Sequence, residues 1–495
     1  MNIKEAILGR GSRLETAFLL CWYVTIASAA FGDCLLRIKL PIGGHFFLFR
    51  GAILLTCLLY LILLLKGKEN PLKGLSRPEL WFVGLMACML AYGLVSVLWS
   101  LSIGAWFSKL FTMCQMFALT FIFLKVCRDP KVMRITMALV GITALICAVG
   151  GLIECFHGPF FDTPYRNYTY VFFDKWMYPP TFTFYNGNGM AVFLLFSLET
   201  LYLWMASRWE ASTDRINHRL LWRLSAGMAF AIFLCCAVGG RLALLAIPII
   251  LVGLAGWLFI RYKKGLLVFV LLFATLGFIY VGENYGQVRF YAQQAGAQIQ
   301  QFFEQDEPAP SEETPSEETP SVETPPDSNS WGTLYTIIPS ITGEPVNESL
   351  AASDGVRLTL LKNAMDMLIQ SHGLGVGLGN AELRMEEYGN TGSLTNIHCF
   401  IMEVMAEFGV FALIPFLLVL FAALKSLLIK FTSAIKARDK VTISNVILLF
   451  CTALAYPLLS TANSSSWGIS SMWMYLACLL MYCGKPQNET AMKPQ

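Results

Sequence analysis

Apolar runs of about 20 residues recur along this chain, each long enough to cross roughly 30 Å of hydrocarbon as a helix. A helix satisfies every backbone N–H and C=O within its own segment, which lipid requires. The composition agrees. Of 495 residues, 56% are hydrophobic and 14% charged, where soluble domains carry about 25% charged residues. The expected fold class is an all-α, polytopic membrane protein of about 12 transmembrane helices. The runs lie near 15–34, 46–65, 79–98, 104–125, 134–155, 188–206, 221–238, 241–260, 265–282, 399–424, 441–460 and 466–483.

Lysines and arginines in the short connections set the orientation. They gather in the N-terminal tail (Lys4, Arg10, Arg13) and around 66–77, 125–134, 208–223, 261–264 and 425–440, on alternate sides of the runs. Both termini are therefore expected in the cytoplasm. On this reading 1–282 form a nine-helix membrane region and 283–398 a large extracytoplasmic loop. Residues 399–484 form a three-helix C-terminal membrane region, and 485–495 a cytoplasmic tail. The first run reads as a retained span, not a cleavable signal.

Within the large outer loop, 307–327 carry the near-repeat PSEETPSEETPSVETPP. This mixture cannot bury enough apolar surface to fold and is expected to be a disordered acidic insert. Residues 354–370 place Val356, Leu360, Ala364, Met367 and Leu368 on one stripe. That spacing predicts an amphipathic helix, with Asp354 at its cap and Arg357 in its first turn. The 14 cysteines lie largely inside apolar runs, as small hydrophobes. No C-x-x-C occurs and no acidic ligand cluster stands out, so neither a metal nor another cofactor is expected. No nucleic-acid partner is expected either.

Several polar residues fall at the predicted outer face. His398 precedes the tenth run and is either a proton acceptor or an interfacial hydrogen-bonding histidine. Arg241, after two glycines, is either a phosphate ligand or a topological anchor. Arg357 has the same choice. Gly373, Gly375, Gly377 and Gly379 alternate in GLGVGLG. Without a strand before and a helix after in a βαβ unit, they do not read as a nucleotide fingerprint. They serve either close backbone approach or a turn. Asn188 stands at the start of the sixth run, and Glu403 and Glu407 lie in the tenth, where carboxylates need a partner.

Together these residues resemble the O-antigen ligase and O-antigen polymerase superfamily of bacterial surface-polysaccharide assembly, which includes teichuronic acid and exopolysaccharide relatives. The resemblance covers roughly 180–415. It rests on Phe184 to Ala191 (FYNGNGMA), Gly240 to Ala246 (GRLALLA), Arg357, and the GVGLGN run from Gly375. It continues with His398 and Glu407-Phe408-Gly409 nine residues later. Cys399 stands where the family usually has Asn, Ala412 where it has Gly, and Gly240 where it has Ser.

The resemblance implies a metal-independent glycosyltransferase in the bacterial cytoplasmic membrane with its site facing outward. It would move an undecaprenyl-diphosphate-linked glycan to a glycan acceptor, by ligation or polymerisation, as in lipopolysaccharide or cell-wall polymer biogenesis. It further implies His398 as catalytic base, Arg241 and Arg357 as diphosphate ligands, and Asn188, Glu407, Gly377 and Gly379 in support. Implied partners are the lipid bilayer, the donor and acceptor, and other polysaccharide-assembly membrane proteins. The competing class is a flippase or transporter of lipid-linked glycan. Such a protein is expected to place its polar residues at the bilayer midplane, in two related halves.

Overall fold

The computed structural model describes residues 12–31, 38–39, 45–67, 70–161, 170–172, 175–178, 180–184, 187–208, 226–235, 241–262, 348–392, 394–462 and 466–484, with the isolated positions 274 and 277. The insert 307–327, most of the run 265–282 and the tail 485–495 lie outside the described residues.

The described chain is helical. Its helices are α1 Arg13–Ser28, α2 Leu48–Gly67, α3 Arg77–Val95, α4 Ile103–Val126, α5 Pro130–His157, α6 Gly187–Arg208, α7 Ala226–Cys235 and α8 Arg241–Tyr262. They continue with α9 Glu348–Gln370, α10 Ala381–Tyr388, α11 Phe400–Phe408, α12 Val410–Ala437, α13 Lys440–Ala462 and α14 Ser470–Gly484. Two minimal antiparallel pairs join them, Ile38–Lys39 with His45–Phe46 and Tyr170–Phe172 with Lys175–Met177.

Among the described residues, 8 helices are long and apolar enough to cross a membrane. Among the described residues, the runs near 15–34, 221–238 and 466–483 supply helices of 16, 10 and 15 residues.

The helix starts are locally encoded. Ser12 and Glu15 form a reciprocal capping box at α1, and Ser76 with Glu79 another at α3. Asp129 accepts from the N–H groups of Lys131 and Val132, ahead of Pro130 in the first turn of α5. Each arrangement satisfies backbone donors that the helix itself leaves orphaned.

Large apolar side chains line the outside of the bundle. On α2, Leu54, Leu55, Leu58, Leu61 and Leu65 are exposed; on α12, Phe411, Ile414, Leu418 and Phe421 are. A water-soluble monomer rarely shows such continuous stripes. In lipid they carry no penalty, and this is a multi-pass membrane protein.

Inside, small residues let backbones approach, as expected where lipid removes the usual hydrophobic drive. A Cβ added at Gly253 of α8 would lie 2.6 Å from the Cβ of Cys451 on α13. These two helices form the most extensive helix pair in the structure.

Two expectations change. The run 399–424 is not one span. It is broken at Gly409, where the backbone turns to φ 65° and ψ −159°, a region essentially open to glycine alone. The long apolar run hid the break, because α11 is itself largely apolar. In addition, the amphipathic helix predicted from Asp354 begins at Glu348, so neither Asp354 nor Arg357 lies in its first turn. The stripe itself holds: Leu360, Ala364 and Met367 are buried, with Val356 and Leu368 packed beside them.

Candidate active site

The short helix α11 is the platform of the site. Its apolar face carries Phe400 and Phe408, two turns apart. Phe400 packs on Trp467, Trp473 and Phe416, with ring centroids 5.1, 6.0 and 5.8 Å away. Phe408 packs on Trp467 and Tyr92 at 5.9 and 5.5 Å. Aromatic pairs at these distances contribute beyond their buried area.

The adjoining face carries Glu403 and Glu407, one turn apart and both buried. Their partner is Lys109 of α4. Its Nζ bonds Glu403 and lies 3.7 Å from Glu407 Oε1 and 3.5 Å from the half-exposed Glu382 of α10. A buried charge is tolerated when it is paired in this way.

The glycine loop wraps the far end of α11. Val376 N–H donates to the Ala406 carbonyl at 2.8 Å, and Gly377 N–H to the Glu407 carbonyl at 3.0 Å. Gly379 N–H donates to Glu407 Oε1 at 3.1 Å. Tyr92 Oη donates to the Leu374 carbonyl at 2.7 Å. Asn380 clamps the turn between α3 and α4, accepting from Leu101 N–H at 3.0 Å and donating to the Trp99 carbonyl at 3.3 Å.

The glycines are needed because protein, not ligand, comes close. A Cβ at Gly377 would lie 2.5 Å from Trp99 Nε1, and one at Gly375 would lie 2.4 Å from Gly409 N. Gly377 and Gly379 therefore spend their N–H groups holding Glu407.

His398 immediately precedes the Cys399 N-cap of α11. Its own φ is 55°, a left-handed conformation uncommon for a side chain other than Asn, Asp or His. His398 is half-buried, and its buried Nδ1 has no hydrogen-bond partner among the described residues. Burial, with the Arg357 guanidinium adding to it, pushes the imidazole down from 6.5 to about 4. His398 is therefore neutral near pH 7, and Arg357 is near enough to act on it.

Cys399, at the family's usual Asn position, accepts from Thr461 Oγ1 of α13 at 3.5 Å. Arg357 is half-buried on α9, which packs along α11. Arg241 is the first residue of α8, and Asn188 is half-buried in the first turn of α6.

The structure thus sets Arg357 near His398 at one end of α11, and Glu407 with Gly377 and Gly379 at the other. It adds Lys109, which the sequence reading missed. The available signal was a lone lysine six residues into an apolar run, which lipid tolerates only with a partner.

Residues 226–417 match the family described as O-antigen ligase. The resemblance is to the O-antigen ligase superfamily. The match spans α7, α8, α9, the glycine loop, His398 and α11. A second likeness is to the teichuronic acid biosynthesis protein TuaE of Bacillus subtilis (strain 168), 31% identical over 134 residues. That stretch is 26% of this chain and 26% of TuaE.

Proposed function

We propose that this chain is a membrane glycosyltransferase of surface-polysaccharide assembly. It moves a glycan from an undecaprenyl-diphosphate donor to a glycan acceptor at the outer face of the cytoplasmic membrane. The observation that carries the reading is a half-buried, neutral His398 next to Arg357 inside the family match. The outward address rests on the basic connections, which assign this end of the helices to the outside.

The chemistry needs few groups. A diphosphate leaves readily, so the acceptor hydroxyl needs a base and the departing oxygens need positive charge. His398 supplies the base. Arg357 and Arg241 supply guanidinium forks that match phosphate oxygens. With cations in that role the reaction runs without a metal.

Arg357 also sets the timing. In the free protein its charge, after burial, keeps His398 unprotonated. A bound diphosphate offsets that charge and raises the imidazole toward its ordinary value, making it a stronger base only when donor is present.

This sets a pH signature. The acid limb of kcat/KM, which reports the free protein, falls near pH 4. The acid limb of kcat, which reports the donor complex, lies higher by the part of the shift that the Arg357 charge causes, while the larger part, from burial, remains. Stability follows the free protein. The folded imidazole titrates below the unfolded one, so stability is lost as pH falls from about 6.5 to about 4. A thermal-midpoint series over that window reads the loss, and coincident kcat and kcat/KM limbs would rule out the Arg357 coupling.

The decisive test uses purified protein in liposomes with a lipid-diphosphate-linked oligosaccharide and a glycan acceptor. A new glycosidic bond is expected, and Arg357→Ala removes it while Arg357→Lys keeps a fraction. Movement of the donor across a sealed bilayer with no new bond would make the protein a flippase instead.

A further inference from the structure

We propose that Lys109 is a positioning residue for this site: one ammonium group in α4 ties α10 and α11 to the membrane bundle and thereby holds His398 against Arg357. The inference rests on the function proposed above for the meaning of His398, but not for the mechanical role of Lys109.

The geometry runs outward from the lysine. Lys109 meets Glu403 and Glu407 on one face of α11 and Glu382 at the start of α10. Glu403 N–H donates to the Cys399 carbonyl at 2.8 Å, so the pinned turn is the one that follows His398. Glu407 passes the constraint to the glycine loop through the N–H of Gly379. On the α10 side, Asn363 of α9 donates to Asn390 Oδ1 at 2.8 Å and to Met385 Sδ at 3.2 Å. Asn363 is six residues along the same helix from Arg357. One cation therefore braces both supports of the His398–Arg357 pair.

Three carboxyl groups converge on the Lys109 ammonium, and Glu407 Oε2 is buried without a hydrogen bond from any described residue. Removing the lysine takes away the ammonium that Glu403, Glu407 and Glu382 share, a strongly destabilising change at that spot. Whether the carboxyl groups then take up protons or turn toward water, α11 loses its tie to α4, and its shift carries the position of His398 with it.

Two readouts test this in the full-length protein. The first needs no substrate: carbethoxylation of the imidazole at position 398 in detergent, followed by mass spectrometry. The half-buried ring of the parent protein, with Nδ1 shielded, sets the reference rate. Lys109→Met speeds the reaction by about fivefold or more, and Lys109→Arg, which keeps the cation, by less than about twofold. The second is the transfer assay. Lys109→Met lowers kcat by about tenfold or more with donor KM within about threefold, and Lys109→Arg recovers about a third of the parent kcat or more.

Unchanged carbethoxylation in a folded Lys109→Met protein overturns the proposal whatever the transfer assay shows. So does an equal loss of kcat in Lys109→Arg. Altered carbethoxylation in a chain whose parent form transfers nothing removes the proposed function and leaves the positioning role standing. Where Lys109→Met fails to fold, Glu403→Gln decides by the same two readouts. It breaks the shortest contact while the lysine keeps Glu407 and Glu382, and no change in either readout overturns the proposal.

Discussion

Replacing His398 by Asn removes glycan transfer by about 10²- to 10⁴-fold, the range a positioned general base contributes. Asn is the informative substitute. Position 398 sits at φ 55°, and Asn tolerates that conformation better than most residues. It also keeps a polar side chain of modest size next to Cys399. The fold is thus retained, and the loss belongs to the imidazole. His398→Ala gives the same loss of transfer with a small added cost at the backbone. Donor binding survives both changes, because Arg357 is untouched. The measurement is initial rate against donor concentration in liposomes, alongside the thermal midpoint in detergent. A kcat within about tenfold of the parent in a folded His398→Asn protein would be too small a loss for a base and would assign the histidine to loop architecture.

The second large effect is on stability. Gly409→Ala is expected to cost about 4 kcal/mol, combining a backbone conformation open essentially to glycine with steric overlap. The overlap is specific. A Cβ there would lie 2.1 Å from the Gly373 carbonyl oxygen and 2.4 Å from the Leu374 carbonyl carbon. Both are backbone atoms that cannot rotate away, and the Gly373 carbonyl already accepts from Val410 N–H at 2.9 Å. A cost of that size is a large share of ordinary domain stability. The break between α11 and α12 would be the first part to yield.

Gly389→Ala is the control, with φ 61° but no atom within 4 Å of the added carbon. It is expected to cost about 1 kcal/mol, the ordinary penalty of a left-handed residue. Comparing the two thermal midpoints separates overlap from conformation. A Gly409→Ala protein as stable as Gly389→Ala would mean that α11 and the glycine loop are not locked together.

How much of this was legible in the sequence differs by residue. The stripe on α9 was readable because helical periodicity is a local property of side chains three and four apart. Its start was not, since Glu348 to Ser353 extend the helix without continuing the stripe. The order of the motifs around Gly375, His398 and Glu407 was readable as a pattern. The use of the glycines was not. Their spacing permits close approach but does not say what approaches, and here it is Trp99, Gly409 and the backbone at Ala105. The break at Gly409 was hidden because both flanking helices are apolar, so composition carries no boundary between them.

The sequence by itself determined that this chain is a bundle of apolar helices in a membrane. The reason is physical: lipid leaves a long apolar segment few ways to satisfy its backbone. It also determined which polar residues stand out against that background. Tertiary structure alone decided which of them meet. Lys109 and Glu403 are separated by 294 positions, and no periodicity or spacing reaches across such a distance. Only the packing of α10 and α11 over the end of α4 brings the ammonium to the carboxylates. The same packing seats a neutral histidine beside an arginine on the platform those charges hold.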